Sequence, residues 1–295
     1  MPVDSNGRHF DRIAVLGLGL IGGSVAAAIR TRKLAGQVVG FAVAGHAQKA
    51  LSLGLIDTAA PSLCSAVSDA DLVVIATPVP TIGSVLGEVT TYLSPTAIVT
   101  DCASTKVSTI AAARQHLGEA FERFVPGHPI SGSEFSGPSA ARSDLFQDKL
   151  WLLAPTPDTN EQAIARVGAL VMAIGARCDQ IDPVQHDVLF AEYSHAPHAL
   201  VYAICHAVAN GPNAARLSEL AGAGFKDTTR IGATAPTLWS DILLDNRLNV
   251  LDSVDRYIEA MVYMRSLLES SDRDRLLELL EQAASWRQGL NGEGA

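Results

Sequence analysis

Basic residues are scarce in this chain. Lys and Arg number 22 against 31 Asp and Glu, a formal charge of −9, and no basic run breaks the balance. That excludes a surface built to neutralise nucleic-acid phosphates or an anionic membrane. It leaves room for a small anionic ligand held by a few local donors. Cysteine is also sparse: Cys64, Cys102, Cys178 and Cys205 are scattered and none forms a CxxC pair. The common zinc and redox motifs are therefore missing, and no metal is expected. Isolated thiols of this kind suit a reducing cytosol. No apolar run reaches the roughly 18 residues that a membrane helix needs. The opening "MPVDSNGRHFDR" is polar and unlike a charged-then-apolar leader. The expectation is a soluble cytoplasmic protein with neither membrane nor nucleic acid as partner.

Hydrophobic residues make up 48% of the 295 and charged residues 18%, enough for a large core and too apolar for global disorder. The length suits two domains. Short apolar runs that read as strands come first: "RIAVLG", "QVVGFAV", "DLVVIATP", "AIVTDCAS", "RFVPGH" and "KLWLLAP". Helical patterns, such as residues 20–33 and 104–117, lie between most of them. Strands alternating with helices predict a mostly parallel sheet covered on both faces, a Rossmann-type α/β domain. From Val184 onward the periodicity is helical throughout, with long amphipathic stretches at "DSVDRYIEAMVYMRSLLES" and "RDRLLELLEQAASWRQ". The predicted division is an α/β domain over residues 1–182 and an all-α domain over 183–295.

The first strand runs into "GLGLIGGS", where Gly17, Gly19 and Gly22 spell G-x-G-x-x-G between a strand and a helix. In that setting the first glycine permits the tight turn and the second lets backbone approach a pyrophosphate. The third lets the helix pack on the strand. Gly17, Leu18, Gly19, Leu20, Ile21 and Gly22 are thus candidate cofactor contacts. The acid that usually binds the adenosine ribose would stand near Ala42, and no Asp or Glu is there. NAD and NADP both stay open. Thr77 and Pro78, in "ATPVP", belong either to a loop facing the cofactor or to an ordinary strand-to-helix connection. Ser104, in "TDCASTK", is either a helix cap or a hydroxyl at the nicotinamide edge of a pocket.

"FVPGHPISGSEFSG" places His128 at the exit of a strand, followed by small polar residues. An alcohol oxidation by nicotinamide needs a base, and an imidazole titrating at about 6.5 suits that task. "HDVLFAEYSHAPHAL" brings His186, Ser194, His195 and His198 onto about one helix; His195 and His198 share a face. No carboxylate or thiol completes a metal set around them. In "GFKDTTRIG", Arg230 suits either a bidentate grip on a carboxylate or a surface salt bridge.

In order along residues 12–246, "GLGLIGGS", "ATPV", "TDCASTK", "GHPISGSEFSG", "HDVLFAEYSHAPHAL" and "GFKDTTRIGATAPTLWSDILLDN" resemble the prephenate dehydrogenase family, which includes arogenate and cyclohexadienyl dehydrogenases. The resemblance implies oxidative decarboxylation of prephenate to 4-hydroxyphenylpyruvate, or of arogenate to tyrosine, with NAD or NADP. It implies His128 as the catalytic histidine and Ser104 as the serine that orients it. Arg230 matches the arginine that binds a substrate carboxylate. His198, Ser194 and His186 match pocket positions, and Ser133 and Glu134 the entrance. The C-terminal helices match the family's dimerisation domain, implying a homodimer.

Two other readings fit parts of the pattern. One is another two-domain dehydrogenase of the hydroxyacid type, although such enzymes lean on a lysine in the first long interdomain helix and none stands in "HDVLFAEYSHAPH". The other is a non-catalytic nucleotide sensor, which has no need of His128 together with Arg230.

Overall fold

The structure, a computed structural model, describes residues 7–43, 45–133 and 135–290. Its first sheet holds β1 (Phe10–Leu16), β2 (Ala35–Phe41), β3 (Thr58–Ala59), β4 (Leu72–Ile75), β5 (Ile98–Asp101) and β6 (Phe124–Val125). All are parallel, in the order β3-β2-β1-β4-β5-β6. β4 and β5 are buried along their whole length, as a strand covered on both faces must be; β4 is apolar throughout, and β5 ends in the buried Thr100 and Asp101. One face packs under the helices Leu20–Thr31 and Glu161–Ala173, through Val25, Ile29, Val167 and Leu170. The other packs under Val79–Val89 and Val107–Leu117, through Ile82, Leu86, Ile110 and Leu117. Between β1 and β4 the strand order reverses, which opens a crevice at the carboxyl ends of the strands.

The sequence predicts one strand through "RFVPGH" and a further parallel strand at "KLWLLAP"; the structure differs on both. Phe124–Val125 closes the large sheet against Val99 and Thr100. Pro126 has no N–H to offer a ladder, and its carbonyl turns to Ala154 N at 2.8 Å. The chain thereby changes sheets. β7 (Gly127–Pro129) runs antiparallel to β8 (Leu150–Leu153), which pairs parallel with β9 (Arg177–Gln180).

From Pro183 to Gly289 the elements are helical. The helix Pro183–Phe190 passes through a π turn, Ala191–His195, into the helix Ala196–Ala209. Two longer helices, Arg247–Ser270 and Arg273–Gly289, close the chain. No helix among the described residues is long and apolar enough to cross a membrane.

Candidate active site

The glycine loop sits between β1 and the helix Leu20–Thr31. Gly17 has φ +93°, and a Cβ there would lie 2.5 Å from the Ala76 carbonyl oxygen. A Cβ on Gly22 would lie 1.9 Å from the Gly17 oxygen. Both positions exclude a side chain. Gly19 differs, because a Cβ there would meet nothing within 4 Å. It opens the space in front of a helix N-terminus that has no side-chain cap, where first-turn N–H groups face outward, as a pyrophosphate requires. Leu18 is buried in the core, and Leu20 and Ile21 pack partly against it, so the loop presents backbone rather than side chains. Just past β4, Thr77 Oγ1 is buried without a partner, and Pro78 occupies the cap of the helix Val79–Val89. Ala42 follows β2 directly and carries no charge to the ribose position. An open cradle and an orphaned hydroxyl on one sheet edge fit a dinucleotide.

Ser104 does not cap a helix. The helix begins at Val107, with Lys106 in the cap position, and Ser104 is half-buried in the connection after β5. The capping is done from far away. The Asp187 carboxylate accepts the N–H groups of Lys106 at 2.8 Å and Val107 at 2.9 Å, across about 80 residues of chain. It also lies 2.8 Å from His186 Nδ1. Burial opposes its ionisation, but the bonds from His186 and the two backbone groups prevail and hold Asp187 below the ordinary carboxylate range.

His128 occupies the middle of β7, opposite Leu152, and is 7% exposed. Its Nδ1 stands 2.8 Å from His186 Nε2. A carboxylate only accepts, so His186 donates through Nδ1 and its Nε2 must accept. His128 then donates through Nδ1, and in its neutral form Nε2 is left with a free lone pair. Burial first, then the neighbouring His186, Lys106 and His195, push His128 well below the usual histidine range. Burial lowers His186 too, against the pull of Asp187. The pair is therefore neutral near pH 7. The Phe190 ring walls it, with centroids 4.6 Å from His128 and 4.3 Å from His186.

The π turn holds Ser194 and His195. Wide turns of this kind recur at functional sites. His195 is 1% exposed, and burial brings it to about 4. Its Nδ1 accepts from Asn246 Nδ2 at 3.1 Å, and the same amide donates to the Asp187 carbonyl at 2.7 Å. His198 Nδ1 donates to the Ser194 carbonyl at 2.8 Å, and its ring stacks on Trp239 at 3.4 Å. Burial lowers His198, the Ser194 bond resists, and the charge of Arg230 adds to the lowering. Arg230 itself is exposed and begins the short turn Arg230–Ala233. Ser133 is exposed and accepts from Phe135 N at 3.2 Å. Glu134 lies outside the described residues.

The structure thus joins His128 and His186 in one hydrogen-bonded row and sets Ser194, His198 and Arg230 in the helices beyond it. Ser133 stays at the surface. Sequence reasoning missed Asp187, Asn246, Phe190 and Trp239, and weighed His195 only as a metal ligand. Asp187 stands next to His186 in the motif, but its partners begin a helix in the other half of the chain, which no local pattern reveals.

Two family descriptions match the chain: "Prephenate dehydrogenase, nucleotide-binding domain" over residues 25–180, and "Prephenate dehydrogenase, dimerization domain" over residues 182–282. Prephenate dehydrogenase of Bacillus subtilis is 35% identical over 95% of this chain and 76% of its own length. Cyclohexadienyl dehydrogenase of Zymomonas mobilis is 33% identical over 95% of this chain and 96% of its own. The crystal structure of prephenate dehydrogenase from Aquifex aeolicus, in complex with hydroxyphenyl propionate and NAD+, superposes with a TM-score of 0.88 at 29% identity, covering 95% of this chain and 98% of that one. The hydroxyacid and sensor readings give way before these matches, and the chain belongs to the prephenate dehydrogenase family of nicotinamide-dependent oxidoreductases.

Proposed function

We propose that this enzyme oxidatively decarboxylates prephenate, arogenate or both, with His128 as the base at the ring hydroxyl. The observation that carries the reading is the row Asp187–His186–His128, which leaves His128 Nε2 unprotonated. A nicotinamide dinucleotide held at the Gly17–Gly22 loop would supply the acceptor for the hydride on the ring carbon that bears the hydroxyl. His128 Nε2 accepts the hydroxyl proton as that carbon becomes a carbonyl, and the carbon–carboxylate bond electrons then enter the ring as CO2 departs. The product is a phenol, so the proton returns from His128 to the same oxygen and none is released overall. Aromatisation drives the step, so the chain's task is positioning and proton handling.

Ser104, half-buried after β5, orients the hydroxyl and His128. Arg230 holds a substrate carboxylate, with His198 and Ser194 lining the side-chain end and Ser133 at the entrance. Residues 1–182 bind the cofactor and 183–295 the substrate and the partner copy. His198 donates to Ser194 through Nδ1, so its Nε2 accepts from an ammonium when neutral and donates to a keto group when protonated. Both substrates have a partner there. Ala42 neither binds a ribose hydroxyl nor repels a 2′-phosphate, which supports use of NADP as well as NAD. Leu244, Leu248, Leu251, Ile258, Met261 and Val262 are each more than half exposed in the single chain. Apolar surface of that extent supports a homodimer through these helices, and sedimentation giving only the 31.0 kDa species would remove it. The four unpaired cysteines fit a cytoplasmic setting.

The test is nicotinamide reduction with prephenate and arogenate, each offered with NAD and with NADP. Turnover in any combination establishes the reaction and fixes substrate and cofactor together. No turnover in all four, with cofactor binding intact, would sink the assignment.

A further inference from the structure

Beneath the strand that carries His128 lies an ion pair removed from solvent. The side chains of Lys106 and Asp101 are each 0% exposed. Lys106 Nζ bonds the Asp101 carboxylate and also donates to the Gly127 carbonyl at 2.6 Å. Asp101 Oδ1 accepts the Gly127 N–H at 3.0 Å, and Oδ2 accepts Ala103 N–H at 2.8 Å. Gly127 is therefore gripped at both its N–H and its C=O, and that carbonyl belongs to the peptide leading into His128. A side chain at 127 would not fit, because its Cβ would lie 2.8 Å from the Asp101 carbonyl oxygen and 2.9 Å from Trp151 Nε1. Lys106 is also the residue whose backbone N–H binds Asp187. One residue thus touches both ends of the row, the strand before the base and the carboxylate that orients it. Two of the three donors of the Lys106 ammonium are taken inside the fold.

We infer that the Lys106–Asp101 pair is the positioning device of the catalytic strand: it fixes the Gly127–His128 peptide and holds the Lys106 ammonium beside the base. This rests on the reading of His128 as that base. The charged and titratable groups around the His128 ring are His186 and His195 from the helical half, Asp187 behind His186, and Lys106 with Asp101 below.

The opposite signs of the two charges make the test. Lys106→Met removes a cation and should move the acid limb of kcat/KM to higher pH. Asp101→Asn leaves the cation unbalanced and should move it lower, each by roughly a unit. The double variant, which leaves no unpaired buried charge, should move it up by less than Lys106→Met alone. All three loosen the peptide and should lose roughly tenfold to hundredfold in kcat, with cofactor Kd unchanged. A merely structural pair lowers the yield of folded enzyme and leaves the acid limb in place. Unshifted limbs with normal kcat overturn the inference. Should the variants fail to fold, wild-type enzyme still answers. The Lys106 ammonium should give a slowly exchanging 1H–15N signal, and one exchanging with bulk water at the rate of surface lysines overturns the clamp. His128→Asn, run alongside, separates the two claims: if it keeps full turnover, the base assignment fails, whereas an inactive His128→Asn beside fully active pair variants refutes the clamp alone.

Discussion

The two sides of the candidate site are built differently. On the base side, every side-chain polar atom of Asp187 and His186, and His128 Nδ1, has a partner at 2.8–2.9 Å, and a phenyl ring seals the row. On the carboxylate side, Arg230 is exposed, and His198 is half-buried with one nitrogen committed. The first side is fixed before any ligand arrives and the second has donors to spare. Chemistry that depends on a proton at one atom needs the first arrangement. Capture of a flexible, charged side chain needs the second. Substitutions on the base side should therefore act on kcat, and those on the carboxylate side on KM.

The largest effect is expected at His128. His128→Asn keeps the shape of the strand and removes the free Nε2, so kcat should fall by roughly 10²–10⁴-fold with cofactor Kd unchanged. Turnover within a few-fold of wild type would break the comparison at its centre. Asp187→Asn comes next. The amide no longer fixes the His186 tautomer and weakens the helix start at Val107, so kcat should drop by roughly 10–10³-fold and stability by about 1–3 kcal/mol. Kinetics and denaturation on one preparation check both, and a loss of stability without a loss of kcat would reduce Asp187 to a cap. Arg230→Leu should raise KM for the substrate by roughly 10–100-fold while kcat changes little. A fall in kcat with KM constant would instead place Arg230 on the base side.

The smallest effect concerns pH and stability. His195 titrates at about 4 in the folded chain against about 6.5 unfolded. A depressed folded value means that its contribution is complete above about 6.5 and is lost as pH falls towards about 4, where the unfolded chain binds the proton more readily. The loss is on the order of 3 kcal/mol, and His128 and His186, also lowered, add in the same direction. Denaturation midpoints should decline from pH 6.5 downward and stay level above it. A midpoint that holds down to about pH 4 would show that His195 is not buried as a neutral ring.

The parallel sheet, its two helical covers and the glycine loop were legible because each is written in a contiguous stretch. "LVVI" and the "IV" that opens β5 are apolar since both faces are covered, and Gly22 tolerates no Cβ because the Gly17 carbonyl of its own turn stands in the way. The change of sheets at Pro126 was not legible. Two- and three-residue strands carry no period, and only the tertiary partner Ala154 decides where the carbonyl points. The site followed the same rule. His128 and His186 stand out as residue types, while Asp187 acts through backbone groups about 80 positions earlier. Ser104 shows the converse: a serine just ahead of a helix reads as its cap, but a distant carboxylate had already taken those N–H groups.

The π turn at Ala191–His195 lets the rod from Pro183 to Ala209 hold one residue more than an unbroken α-helix would. Losing one residue there would let the segment relax into unbroken α-helix with its backbone ladder intact. The slower winding of the turn already offsets the roughly 100° that one residue adds, so the stretches on either side would keep nearly their present alignment. His186 and Asp187 would keep their seats, and His198 its place against Trp239, while Ser194 and His195 would be reseated. A single-codon deletion at this turn would therefore spare the fold and both ends of the pocket and disturb only the residues between them.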